Sequence, residues 1–245
     1  MTASRWQDEV AERFREAKLR RKRGEAFGRA GDASRAAAEF GAGAAVLDAA
    51  IALMLALPEW PSEQPEPAAE PNPEVDPTAE VAAIARELVE AYGTRGGMLR
   101  RLGDSRAALD SYRKGAELEE RLVHQSTYNR VNAVKFALLS GAHSLDDLVT
   151  DIGTLEKLLT RQLAEQQELS DSGWAWADLG DCRALLGDVP GAERAYRAFV
   201  EKAGSSAPKV TLEVLRTICD ELDEAGDAKA ATVRGSLRNL EARLG

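Results

Sequence analysis

The chain has 245 residues, 44% hydrophobic, 30% charged and only 5% aromatic, which suits one or two folded domains of packed helices better than a sheet or a disordered chain. Its net charge of −9 is uneven, since six of the 41 acids lie between Pro58 and Pro77, where Lys and Arg are absent. The remainder, 35 acids against 32 cations, has no broad positive field to attract nucleic acid or an anionic membrane.

Met1 to Val10 carries acids and no apolar core, unlike a secretory signal. Residues 1–57 read as a helix pair broken at Gly31-Asp32. Within it, Lys18 to Arg35 holds seven basic residues (Lys18, Arg20, Arg21, Lys22, Arg23, Arg29, Arg35) against Glu25 and Asp32. A solvated helix face is the plain reading, and a contact strip for an acidic segment, a phosphate or nucleic acid is the alternative. Gly41-Ala42-Gly43 has Val46 where a dinucleotide loop needs its third glycine, and a helical pattern precedes it instead of a strand. Close helix packing accounts for it, and no cofactor is expected. Ala44 to Leu57 is the most apolar stretch, but 14 residues containing Asp48 fall short of the ~20 needed to span a bilayer. No membrane association is expected.

Pro58 to Pro77 holds seven of the nine prolines and reads as an acidic linker, polyproline-like or disordered. Glu63, Glu66 and Glu70 on it could reach back to Arg21 and Arg29, although a plain spacer is the simpler reading. Asp76-Pro77 supplies a cap and first-turn proline for the next helix. Residues 78–245 then read as a helical repeat domain with a divergent pair near 126–169. The second helix of that pair is expected to start at Ser144, capped with Asp147, and to bury Leu148, Ile152, Leu155, Leu159 and Leu163. Ser140, His143 and Asp146 crowd the turn before it, where Ser and Asp cap helices more naturally than they build a catalytic triad. His124 is the other histidine, no H-x3-H or C-x2-C occurs, and no metal is expected. Cys182 and Cys219 are too few for a disulfide framework, so a cytoplasmic protein with reduced thiols is expected. Trp174 and Trp176 point about 200° apart on one helix, Trp176 toward the core and Trp174 outward as a binding candidate.

Gly-Asp recurs at Gly31, Gly103, Gly187 and Gly226. Seven residues before each glycine stands a small residue (Gly24, Gly96, Gly180, Cys219), five after it an alanine (Ala36, Ala108, Ala192, Ala231), and nine after it Phe40, Tyr112, Tyr196 and finally Gly235. Four copies in register make an internal repeat. The small residue lets a second helix cross closely, the turn glycine ends the first helix, alanine fills the crossing and the aromatic covers the seam.

This pattern resembles the tetratricopeptide repeat family, whose motif runs W-x2-L-G-x2-Y and then A-x3-F. Trp176-x2-Leu179-Gly180 followed by Ala192-x3-Tyr196 matches best, with Arg183 at the expected aromatic position. Tyr92-x2-Arg95-Gly96-x2-Leu99 with Ala108-x3-Tyr112, and Arg20-x2-Arg23-Gly24-x2-Phe27 with Ala36-x3-Phe40, are the other clear copies. Leu215-x2-Ile218-Cys219-x2-Leu222 with Ala231-x3-Gly235 is degenerate, as a terminal copy is. The resemblance implies an all-α fold: a right-handed superhelix of antiparallel helix pairs, about ten helices in all.

It further implies a concave groove lined by the first helix of each pair, and a non-catalytic adaptor or regulatory subunit that holds a protein or peptide there. Residues three before and one after each small residue then face the groove: Arg21 and Glu25, Gly93 and Gly97 with Arg100 beyond, Ala177 and Asp181, Arg216 and Asp220. With Arg29 and Trp174 these form the expected partner-binding set, basic at one end and acidic at the other (Asp178, Asp181, Asp220, Asp223). A nucleic-acid-binding module using the Lys18–Arg35 strip is the rival reading. Family members that grip terminal carboxylates pair Lys with Asn on these helices, and none of Asn72, Asn129, Asn132 and Asn239 falls on the expected groove.

Overall fold

A computed structural model describes residues 3–60, 79–122, 126–166, 173–203, 208–224, 226–227 and 230–244. Among these residues the protein is all-α, with ten helices and no strand. They are α1 (Ala3–Arg29), α2 (Ala33–Leu55), α3 (Ala79–Arg101), α4 (Ser105–Arg121), α5 (Tyr128–Leu139), α6 (Leu145–Glu165), α7 (Trp174–Leu185), α8 (Val189–Ala203), α9 (Pro208–Glu224) and α10 (Ala230–Leu244). Two compact units, Met1–Asn129 and Arg130–Gly245, divide within α5.

The four Gly-Asp turns share one construction. Gly31, Gly103, Gly187 and Gly226 have φ of 79°, 77°, 78° and 70°, a region glycine enters without steric cost. Each glycine N–H bonds back three residues and the following Asp N–H five, as from Gly31 to Gly28 O (3.1 Å) and Asp32 to Phe27 O (2.9 Å). This pair closes the orphaned carbonyls of the preceding helix. In the first three the aspartate side chain then caps the next helix: Asp32 accepts from Arg35 N at 3.0 Å, Asp104 from Ala107 N at 2.9 Å and Asp188 from Gly191 N at 3.0 Å. A fifth turn of this kind ends α5 at Gly141 (φ 64°), but its cap lies three residues on, at Ser144. Ser144 and Asp147 form a reciprocal capping box, and all five leucines and isoleucines of the expected α6 stripe are buried.

The crossings repeat as well. A Cβ added to Gly24 would stand 2.6 Å from the Phe40 ring, one on Gly96 2.7 Å from Tyr112, and one on Gly180 2.8 Å from Tyr196. Ala36, Ala108 and Ala192 are buried beside these contacts. The last copy departs from the expected register. Ala231 is exposed, Ala230 and Val233 are buried in its place, and a Cβ on Gly235 would meet nothing within 4 Å.

The first helix pair does not stand apart from the helices beyond the prolines. Trp6 and Val10 of α1, Ile51 and Met54 of α2, Ile84 and Leu88 of α3 and Leu118 of α4 share one core. Asp48 of α2 pairs with Arg95 of α3 at 2.6 Å. The helical pair also runs past Leu57: Pro58 to Trp60 form a turn, Trp60 N–H donates to Leu57 O at 3.0 Å, and its ring is buried in the same core. The rest of the expected linker, with Asp76 and Pro77, lies outside the described residues. The apolar stretch expected to be too short for a bilayer is part of the 23-residue α2, which by length and composition alone is long and apolar enough to cross one. Phe40, Leu47 and Met54 of that helix are buried in the first unit.

Candidate partner-binding site

In the first unit, α1 and α3 present two arginines, Arg21 and Arg101, around one acid, Glu25. Arg101 reaches Glu25 Oε1 with Nη2 at 3.0 Å and Gly97 O with Nη1 at 3.0 Å, and its guanidinium lies 5.7 Å from the centre of the Phe40 ring. Arg21 Nε is 3.8 Å from the same Glu25 oxygen, beyond hydrogen-bond reach, and finds no hydrogen-bond partner although that atom is buried. Arg100 lies close enough to Arg101 to repel it and makes no ion pair among the described residues. Burial first, then repulsion from Arg100, lowers the pKa of Arg101, while Glu25 opposes that shift.

Tyr128, at the start of α5 and 44% exposed, borders this cluster. Its ring meets that of Tyr112 edge-on, centroids 6.2 Å apart, and covers Gly93, whose Cβ would stand 3.0 Å from Tyr128 Cε1. A buried carboxylate holds this helix start in place. Glu119 accepts from Ser126 Oγ at 2.7 Å, Asn129 N at 2.9 Å and Asn129 Nδ2 at 3.0 Å. Burial raises the pKa of the Tyr112 phenol well above its ordinary value, with Tyr128 adding to the shift.

Of the expected groove positions, Arg21 and Glu25 come together here, Arg100 stands beside Arg101 on α3, and Gly93 and Gly97 lie buried beneath Tyr128 and Arg101. Arg101 and Tyr128 were not among them. Helical spacing from Gly97 places Arg101 one turn on, over the glycine it covers, and that signal was available in the sequence. Tyr128 belongs to another helix, α5, and no local pattern announces its place beside Arg101.

Asp181, expected on an open groove, is only 1% exposed. Lys135 of α5 donates to its Oδ2 at 2.6 Å, the Tyr196 hydroxyl donates to Oδ1, and Asp178 lies 3.9 Å from the same Lys135 Nζ. A carboxylate in the core needs a cation and donors close by, and it has both. Asp181 is therefore an internal ion-pair residue and not part of an acidic groove end. Cys182 beside it is fully buried and its thiol pKa is pushed far up by desolvation.

No family model matches the chain, and no curated protein matches it either.

The remaining expected residues are scattered. Arg216 hydrogen-bonds Glu241 of α10, and Asp220 lies 3.5 Å from Arg234, which also holds Asp223. Trp174 is 54% exposed, its ring 5.2 Å from that of Phe199, while Trp176 is half-buried. The basic strip is broken up: Arg20 pairs with Glu16 and Glu39, and Arg35 pairs with Asp32 and lies over Phe27. Lys18, Lys22, Arg23 and Arg29 are exposed. In the second unit the Ser140 hydroxyl donates back to Ala137 O at 3.3 Å, the local bond of a helix end. His124 lies outside the described residues. Among the described residues no three His, Cys, Asp or Glu side chains come together to hold a metal ion.

Proposed function

We propose that this protein is a non-catalytic interaction protein, an adaptor or regulatory subunit built of tetratricopeptide-like helix pairs and acting in the cytoplasm. Its protein or peptide partner docks on the α1–α3 face of the first unit, against Arg21, Glu25, Arg100 and Arg101 with Tyr128 at the edge. The observation that carries this reading is the charge imbalance of that face: the Arg21 and Arg101 guanidinium groups share one carboxylate, Glu25, on helices whose crossings are locked by glycine–aromatic contacts. Helices held this rigidly present a preorganised surface, which lowers the ordering cost of binding.

Charge reversal of Arg21 and Arg100 to Glu, followed by capture of partners from the native host, tests it. Association should slow tenfold or more while the melting temperature stays near wild type, because half-exposed charges such as Arg21 and Arg100 act mainly on encounter. Undiminished capture by the double variant, with loss on Trp174→Ser instead, would move the docking surface to the second unit.

A further inference from the structure

The outer face of α1 takes no part in the α1–α3 docking face and carries a charge pattern of its own. We propose that it binds the phosphodiester backbone of duplex nucleic acid, without reading the base sequence.

Between Arg15 and Arg29 the helix holds seven cations and two acids. Both acids are engaged, Glu16 by Arg20 and Glu25 by Arg21 and Arg101. The other five cations, Arg15, Lys18, Lys22, Arg23 and Arg29, are exposed and form no ion pair among the described residues. At about 100° and 1.5 Å per residue, Arg15, Lys18, Lys22 and Arg29 fall within about 60° of one another, in a row about 21 Å long. Val10, Ala17 and Gly24 are buried on the opposite side, where Gly24 meets Phe40 of α2, so the row points to solvent. The chain's net charge of −9 does not cancel it, because exposed charges more than about 8 Å away are screened at physiological salt.

The ligand follows from what the row lacks. Leu19 is the one large apolar side chain of α1 that is exposed among the described residues. Its aromatic rings are withdrawn: Trp6 is buried, Phe14 packs against the core and Phe27 lies under Arg35. A protein partner needs apolar or aromatic anchors at the centre of its interface, a membrane-surface helix needs a broad apolar face, and single strands bind by stacking their bases. A duplex backbone asks only for cations in a line. Each strand presents one phosphate per about 3.4 Å of axis, so the row is long enough to meet several at once.

The test is fluorescence anisotropy with the full chain and labelled 24-base-pair duplexes, DNA in one arm and RNA in the other, beside polyglutamate and vesicles carrying 30% phosphatidylserine. Duplexes of unrelated sequence should bind equally. Affinity should fall about 250-fold between 50 and 200 mM salt, the slope of about −4 that four to five neutralised phosphates produce. Binding in either arm supports the backbone chemistry, and the arm names its source. Lys18→Gln and Lys22→Gln should each make the slope shallower by about one, whereas Lys22→Arg should keep it. Arg15→Gln, Lys22→Gln and Arg29→Gln together should weaken duplex binding about 30-fold or more at 50 mM salt, with the melting temperature unchanged. A slope shallower than about −1, duplex binding that the triple variant leaves intact, or tighter binding of polyglutamate or of the vesicles overturns the proposal.

Discussion

The Phe40 ring occupies the volume that a side chain on Gly24 would need: a Cβ there would stand 2.6 Å from Phe40 Cε1. Gly24→Ala should therefore destabilise the first unit by about 1–3 kcal/mol through overpacking. Gly41→Ala, on the neighbouring helix with nothing within 4 Å of its Cβ, should instead stabilise by about 0.5–1 kcal/mol through helix propensity. In a double-mutant cycle with Phe40→Ala, which alone should cost about 3–5 kcal/mol, the Gly24→Ala penalty should vanish. Additive effects in urea denaturation would mean that the two residues do not share a crossing.

The third matched pair and the last should respond oppositely to one substitution. Ala192 is fully buried, so Ala192→Trp should lower stability by about 1–3 kcal/mol or more. Ala231, at the equivalent place in the repeat, is exposed, and Ala231→Trp should stay within about 0.5 kcal/mol of wild type. Thermal melts of the two variants decide it, and equal shifts would remove the difference in register.

Removing the buried cation should be costly. Lys135→Met leaves Asp181 in the core without its ion-pair partner and should destabilise by about 3–5 kcal/mol. Adding Asp181→Asn takes away the uncompensated charge while keeping an acceptor for the Tyr196 hydroxyl, so the double variant should be more stable than the single one. A double variant weaker than Lys135→Met would show that charge is not the source of the loss.

Stability should fall at alkaline pH. Burial raises the phenol pKa of Tyr112 and Tyr196 in the folded chain, so their contribution is complete below the ordinary value near 10 and is lost as pH rises toward the folded values. Each tyrosine should remove about 1.4 kcal/mol per pH unit across that window. Denaturation midpoints between pH 8 and 11.5 should show the decline, and Tyr112→Phe should reduce its slope above pH 10 without abolishing it, because Tyr196 and the buried Cys182 thiol keep their raised values.

The repeat was legible because its physics is local. A positive-φ glycine, an aspartate cap and a small residue one crossing away sit at fixed offsets, and Gly103, Asp104, Gly96 and Tyr112 stand where that spacing puts them. The Gly141 turn escaped the pattern because no aspartate follows it, although Ser144 and Asp147 marked the next helix. The site was read in part. Arg21, Glu25 and Arg100 follow from helix-face geometry, but the fate of Asp181 depends on Lys135, 46 residues away, and no periodicity connects them. Burial of Trp60 was equally hidden, since its proline-rich surroundings point toward solvent.

The placement of the tryptophans makes the chain its own optical probe. Trp6 and Trp60 lie buried in one core of the first unit, while Trp174 in the second is largely in water. With half-buried Trp176 replaced by Phe, blue-shifted emission belongs to the helices that bear the arginine pair, and a red-shifted component to Trp174 at the start of α7. Loss of the first with retention of the second during denaturation would identify which unit melts first, without any label attached to the arginine-bearing face.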